Sequence, residues 1–159
     1  MKDKLYFTKP APDFVLRDQL DRPTSLSMFK GKWVVLYFYP KDNTPGCTME
    51  AQEFTENIKT FERLNTTIIG VSPDSFQSHQ NFCQRFDLKI LLLSDPEKKA
   101  LKEYEVWETK KFMGREYDGV IRSTFLIDPN GRLAHVWHNV RVQGHVIEIL
   151  QKIRELQSQ

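Results

Sequence analysis

The chain has 159 residues, a net charge of +2, 40% hydrophobic and 28% charged positions, enough for one ordinary domain with a real core and too short for two. The near-neutral balance gives no electrostatic reason to expect a nucleic-acid partner. The longest apolar run, Trp33 to Tyr39, falls far short of the roughly 20 residues that span a bilayer, so no transmembrane helix is expected.

Residues 1–159 are therefore read as a single domain. Its N-terminal stretch puts Thr8, Lys9, Pro10 and Asp13 where an export signal needs an apolar core, which favours the cytoplasm. "FVLRD" and "PTSLSMFKGK" read as a short strand, a turn and an approach loop. Trp33 to Tyr39 lacks polar alternation, as a central strand covered on both faces should. From Thr44 the period changes: Cys47, Ala51, Phe54, Ile58 and Phe61 make one helical stripe running to about Asn65. "TTIIGVS" is a second buried strand, and Ser75 to Phe86 a second helix with Phe76, His79, Phe82, Cys83 and Phe86 on a common side. "ILLLS" is a third strand, and "PEKKALKEY" a short helix with proline at its start. Glu105 to Val120 is polar and weakly patterned, so it reads as a loop with at most a short strand. "RSTFLIDPNGRLAHVWH" is a hairpin around Pro-Asn-Gly, and "VIEILQKIREL" a terminal amphipathic helix.

Strands alternating with helices, then a hairpin and a helix, imply a three-layer α/β domain with a mixed sheet. In such folds function gathers past the carboxyl end of a central strand, which is where Cys47 falls. Thr44 suits the N-cap and Pro45 the first helical position, placing Cys47 in the first turn, where free N–H groups and the helix dipole favour thiolate. An ordinary thiol is only about 3% ionised at pH 7, so ionisation alone adds roughly thirtyfold, and an efficient site must also polarise what the sulfur attacks. The alternative for Cys47 is a small buried hydrophobe. The two cysteines stand 36 positions apart without CxxC or a Cys/His cluster, and His79, His135, His138 and His145 are scattered without metal spacing, so neither a disulfide scaffold nor a zinc site is expected. The histidines read as surface or packing residues, and the lysine pairs at 98–99 and 110–111 as solvated faces, although a basic loop near Arg122 would shape substrate access.

"FYPKDNTPGCTMEAQEF" resembles the PxxxTxxC signature of the peroxiredoxins, and is similar to their peroxiredoxin Q, or bacterioferritin comigratory protein, subfamily. "APDFVLRDQ", "GVSPDSFQSHQNF", "LLSDPEKKALKEYEVW" and "GVIRSTFLIDPNGRLAHVW" resemble further subfamily segments in the same order. The resemblance implies a thioredoxin-like α/β/α fold with a central mixed sheet and an N-terminal β-hairpin. It implies reduction of hydrogen peroxide or an organic hydroperoxide by a thiolate, with thioredoxin or a similar dithiol protein as reductant, in a monomer, and it implies no metal or organic cofactor. By the same resemblance Cys47 is the peroxidatic nucleophile, Thr44 hydrogen-bonds the peroxide, Pro40 shields the sulfur and Arg122 completes the site. A guanidinium suits that task, since O–O cleavage develops negative charge on the departing oxygen. Glu50 either tunes the site or is an ordinary first-turn glutamate.

Gln52 occupies the position where many members carry a second cysteine. Others carry it in the next helix, which implies that Cys83 resolves Cys47; a one-cysteine enzyme with Cys83 as packing, or a peroxide sensor without turnover, stays open. If Cys83 resolves, the two Cα atoms must come within about 7 Å, so the first turn near Cys47, part of the Cys83 helix, or both must unwind. A CxxC oxidoreductase and a CxxxC copper carrier lack their second cysteine here, and no local signature supports a papain-like hydrolase.

Overall fold

The computed structural model describes residues 9–159, so most of the segment read as lacking an export signal lies outside it. Trp33–Phe38 forms β3, and its alternate side chains feed two different cores. Val35 and Tyr37, with Tyr39 just beyond, face one; Val34, Leu36 and Phe38 face the other. This two-sided burial is the reason the run has no polar alternation. β3 pairs in parallel with β4 (Thr66–Ser72), and β4 with β5 (Leu91–Ser94), while β8 (Ser123–Ile127) and β9 (Leu133–Trp137) continue the sheet antiparallel. β1 (Val15–Asp18) and β2 (Pro23–Ser25) form the N-terminal hairpin and add to β5, giving the order β2-β1-β5-β4-β3-β8-β9. Helices α1 (Pro45–Glu56), α2 (Ile58–Arg63), α3 (Phe76–Phe86) and α5 (His145–Gln157) cover the Tyr37 face; α4 (Lys99–Glu103) and the 3₁₀ turn Leu26–Phe29 cover the other. This is the mixed α/β sheet that the strand and helix order implies, in the thioredoxin-like form that the resemblance implies. No helix among the described residues is long and apolar enough to cross a membrane.

Three local readings need correction. The single helix expected from Thr44 to Asn65 is broken at Asn57, whose side-chain amide donates to the Glu53 carbonyl at 2.8 Å and whose backbone leaves the helical region. The stripe survives the break because Phe54 and Phe61 are both fully buried. Pro96 does not start α4: it lies in a turn, and the Asp95 carboxylate accepts from the N–H groups of Lys99 and Leu101. The polar segment 105–120 is a two-stranded ribbon, β6 (Trp107–Phe112) and β7 (Arg115–Val120). Met113 and Gly114 join its strands with φ of 50° and 79°, the left-handed pair of a type I′ turn. Met-Gly is a poor turn signal because a methionine rarely enters that region, so the ribbon is not legible from its turn.

Candidate active site

β3 ends at Phe38, and the chain passes through Tyr39 to Thr44 into α1. Thr44 is the N-cap and Pro45 the first helical residue, but the Thr44 hydroxyl does not cap. It donates instead to the Lys41 carbonyl at 2.8 Å, which leaves its oxygen lone pairs to accept from a ligand. The first helical bond runs from Thr48 N–H to Thr44 C=O. The N–H groups of Gly46 and Cys47 thus stand outside the ladder, as the first donors of a helix do. Pro40 is half-buried at the end of the strand.

Cys47 is 1% exposed and heads the inward face of α1, followed one turn later by Glu50 at 0%. Arg122 reaches both from the other side of the sheet's end. Its Nη2 donates to Cys47 Sγ at 3.1 Å and its Nη1 to Glu50 Oε1 at 2.6 Å. The position of Arg122 is set by the backbone: it lies between β7 and β8, and its carbonyl accepts from Val140 N–H at 2.8 Å. Burial works against both members of the Arg122–Glu50 pair. For Glu50 burial prevails over the pull of the guanidinium and pushes the carboxyl from 4.5 to about 7. Arg122 also loses solvation, but the charges of Glu50 and Cys47 outweigh it and hold the guanidinium above its ordinary value.

Tyr37 lines the same core. Its ring stacks on Phe54 with centroids 4.7 Å apart, and it fits because β4 places Gly70 opposite it; a Cβ at Gly70 would come within 2.7 Å of Tyr37 Cζ. The Tyr37 hydroxyl and Glu50 Oε2 are buried polar atoms without a hydrogen-bond partner among the described residues. Burial, with the charges of Glu50 and Cys47 adding, raises the Tyr37 hydroxyl well above its ordinary value and keeps it neutral. Lys110, read as part of a solvated pair, is half-buried, and burial together with the neighbouring Arg122 charge lowers its ammonium. Strand alternation in β6 turns Lys110 inward and Lys111 outward.

Cys83 lies elsewhere, on α3, half-buried against the same apolar core that encloses Cys47, and both thiols are free. Burial, then the charge of Asp42, pushes its thiol from 9.0 up to about 11. His79, one turn earlier, is fully buried and bonds Asp42 Oδ2 at 2.7 Å. Asp42, Asp74 and His79 bring one possible ligand atom each to within 4.8 Å of one another. All three are engaged in hydrogen bonds within the protein, and no sequence spacing announces the group because Asp42 comes from a segment far from Asp74 and His79. The peroxidatic-site residues expected from sequence, Pro40, Thr44, Cys47 and Arg122, thus meet at one strand end. Sequence reasoning missed Asp42 and His79, and left Glu50 undecided.

Residues 7–136 match the AhpC/TSA family. The chain is 48% identical over 146 residues to peroxiredoxin Bcp of Bacillus subtilis, covering 92% of this chain and 93% of that one. It is 35% identical over 145 residues to peroxiredoxin Bcp of Escherichia coli, covering 91% and 93%. The structure of a Xylella fastidiosa PrxQ cysteine-to-serine mutant superimposes with a TM-score of 0.91 at 35% identity, over 96% of this chain and 98% of that one. The Xanthomonas campestris bacterioferritin comigratory protein, described for alkyl peroxide reduction, gives a TM-score of 0.86 at 34% identity over 89% and 90%. Two further Xanthomonas campestris peroxiredoxin Q structures are single cysteine-to-serine mutants at positions 36 apart, the separation of Cys47 and Cys83 here.

Proposed function

The chain belongs to the AhpC/TSA family, in its Bcp/PrxQ branch of thiol peroxidases that take a peroxide and a thiol reductant, and from that premise we propose that Cys47 is the peroxidatic sulfur and Cys83 resolves it. The observation that carries the reading is the forked contact of Arg122, one nitrogen on Cys47 Sγ and the other on buried Glu50. Held from both ends, the guanidinium faces the place where oxyanion charge develops and needs no reorganisation at the moment of reaction.

In the first step the Cys47 thiolate attacks the terminal oxygen of the hydroperoxide. An S–O bond forms, the O–O bond breaks, the sulfur is oxidised by two electrons to sulfenic acid, and the departing hydroxide or alkoxide takes a proton to leave as water or alcohol. The Thr44 oxygen accepts from the peroxide O–H, since its own proton is given to Lys41. The N–H groups of Gly46 and Cys47 and the Arg122 guanidinium meet the growing negative charge. Pro40 keeps water from the sulfur. In the second step the Cys83 sulfur attacks Cys47 S–OH, forming an S–S bond and releasing water. Thioredoxin or a similar dithiol protein then reduces the disulfide, becoming oxidised itself.

The state of Cys83 supports a conformational step between the two. A thiol at about 11 is roughly 0.01% ionised at pH 7, and exposure that returns it to 9.0 raises the thiolate about a hundredfold. Unwinding of the first turn of α1, of part of α3, or of both would supply that exposure and the Cα approach together. Residues 1–159 act as one domain, monomeric and cytoplasmic, on hydrogen peroxide and organic hydroperoxides.

Intact mass and peptide mapping after one equivalent of peroxide test the assignment. We expect the Cys47 and Cys83 peptides linked. Sulfenic or sulfinic acid on Cys47 with Cys83 free would sink the resolving role and favour the one-cysteine peroxidase. Peroxide consumption that continues with thioredoxin present separates the enzyme from a sensor that stops after one equivalent.

A further inference from the structure

The segment that carries Cys47 and the helix that carries Cys83 are tied to each other by a buried polar network that the peroxide chemistry does not use. Asp42 lies between Pro40 and Thr44 and is 4% exposed; His79 sits on α3, four residues before Cys83, and is 0% exposed. The Asp42 carboxylate takes three contacts. Tyr39 Oη donates to Oδ1 at 2.6 Å, Ser78 Oγ donates to Oδ2 at 2.8 Å, and His79 Nδ1 lies 2.7 Å from Oδ2 and Tyr39 Oη 3.4 Å from His79 Nδ1 completes the ring. On its other side His79 Nε2 donates to the Leu93 carbonyl at 2.9 Å, which fastens α3 to β5. Asp42 N–H donates to Asp74 Oδ2 at 2.8 Å, and Ser72 Oγ donates to the same oxygen at 2.7 Å, so the loop is fastened to the end of β4 as well.

Among the described residues, no other hydrogen bond of comparable burial bridges the loop and α3. A further polar tie between them, Arg85 Nη1 to Asn43 Oδ1, is exposed and 3.4 Å long. A satisfied network in a dry site is strong, and removing one member leaves a buried polar group without its partner. It also spans the two pieces of chain that have to loosen for Cys83 to reach Cys47. α3 cannot lift while the His79 ring is held between Asp42 and Leu93, and the start of α1 cannot shift without moving Asp42.

We propose that Asp42 and His79 are positioning residues for the resolving step, a latch that keeps both helices wound until Cys47 is oxidised and sets how fast Cys83 arrives. The proposal rests on the resolving role of Cys83 given above. Its chemical consequence is a partition. Cys47 sulfenic acid either meets Cys83, losing water to form the disulfide, or meets a second hydroperoxide, which transfers an oxygen to give sulfinic acid and leaves as water or alcohol. A latch that opens slowly favours the second outcome; a loosened one favours the first.

The test follows the full chain by stopped-flow fluorescence and mass spectrometry in wild type, His79→Gln and Tyr39→Phe, the last removing a single donor from Asp42 in case the first variant folds poorly. We expect His79→Gln to speed Cys47–Cys83 disulfide formation by about tenfold, the equivalent of one lost buried hydrogen bond or more. The rate of Cys47 reaction with peroxide should stay within about twofold, because neither residue touches the sulfur or Arg122. The peroxide concentration giving half sulfinic acid should rise by about the same tenfold, and Tyr39→Phe should move both quantities in the same direction by less. Ile153→Val, a buried change on α5, serves as a control that lowers stability without touching the latch; a residue that is merely structural would behave like it. Disulfide formation unchanged or slowed in both latch variants, or accelerated equally by Ile153→Val, overturns the latch while leaving the resolving role intact. Absence of the disulfide in wild type overturns both.

Discussion

The two cysteines share one apolar core and sit in opposite electrostatic settings. Cys47 faces a guanidinium at 3.1 Å and the unladdered N–H groups at the start of a helix. Cys83 sits in the last turn of α3, where burial and the charge of Asp42 push its thiol up to about 11. The two sulfurs therefore differ in the charges beside them and not in depth alone, since Cys47 is the more buried of the two.

Removing the sulfur at the poised site is the largest perturbation of that contrast. Cys47→Ser should lower peroxide consumption by at least about 10³-fold, since a hydroxyl is scarcely ionised at neutral pH; residual turnover within tenfold of wild type in a steady-state assay would contradict the assignment. Next comes the charge opposite it. Arg122→Lys keeps a cation but loses the fork that holds Glu50 and the sulfur together, and we expect the second-order rate with peroxide to fall about 10²-fold. A drop of less than threefold would mean that charge alone, without geometry, suffices. The smallest effect concerns Glu50. Its carboxyl titrates near 7 in the folded chain and near 4.5 when unfolded, so between those values the folded state holds the extra proton. Stability contributed by this group is therefore greatest in acid and is lost as pH rises through about 7, by up to about 3 kcal/mol. Urea unfolding at pH 5.5 and 8 should show Glu50→Gln abolishing that part of the slope; an unchanged slope would assign it to other groups.

Much of the fold is legible in the sequence alone. The β3 run, the switch of period at Thr44, the amphipathic α3 and α5, and the Pro-Asn-Gly hairpin are all patterns in which burial repeats at the spacing of the element, and each appears in the structure. Where local chemistry competes with periodicity the reading slipped. Asn57 bonds back to Glu53 and breaks the long helix, Asp95 caps α4 and displaces Pro96 from its start, and Met113 enters a turn conformation it rarely adopts. The site divides in the same way. Thr44, Pro45 and Cys47 are adjacent along the chain and need only a helix start to be placed correctly. Arg122 is 75 residues from Cys47, and its own neighbours in sequence say nothing of the sulfur; only likeness to a family pointed to it.

The sequence by itself determined most of the elements and the α/β layering, because these depend on repeats and caps within a few residues. Tertiary structure alone decided that Glu50 is a buried partner of Arg122, that Lys110 faces inward, and that Asp42 and His79 join two elements 37 residues apart. A contact between distant segments leaves no period in the chain, and the energy of a charge depends on what surrounds it, so both come into being only when the sheet brings those segments together.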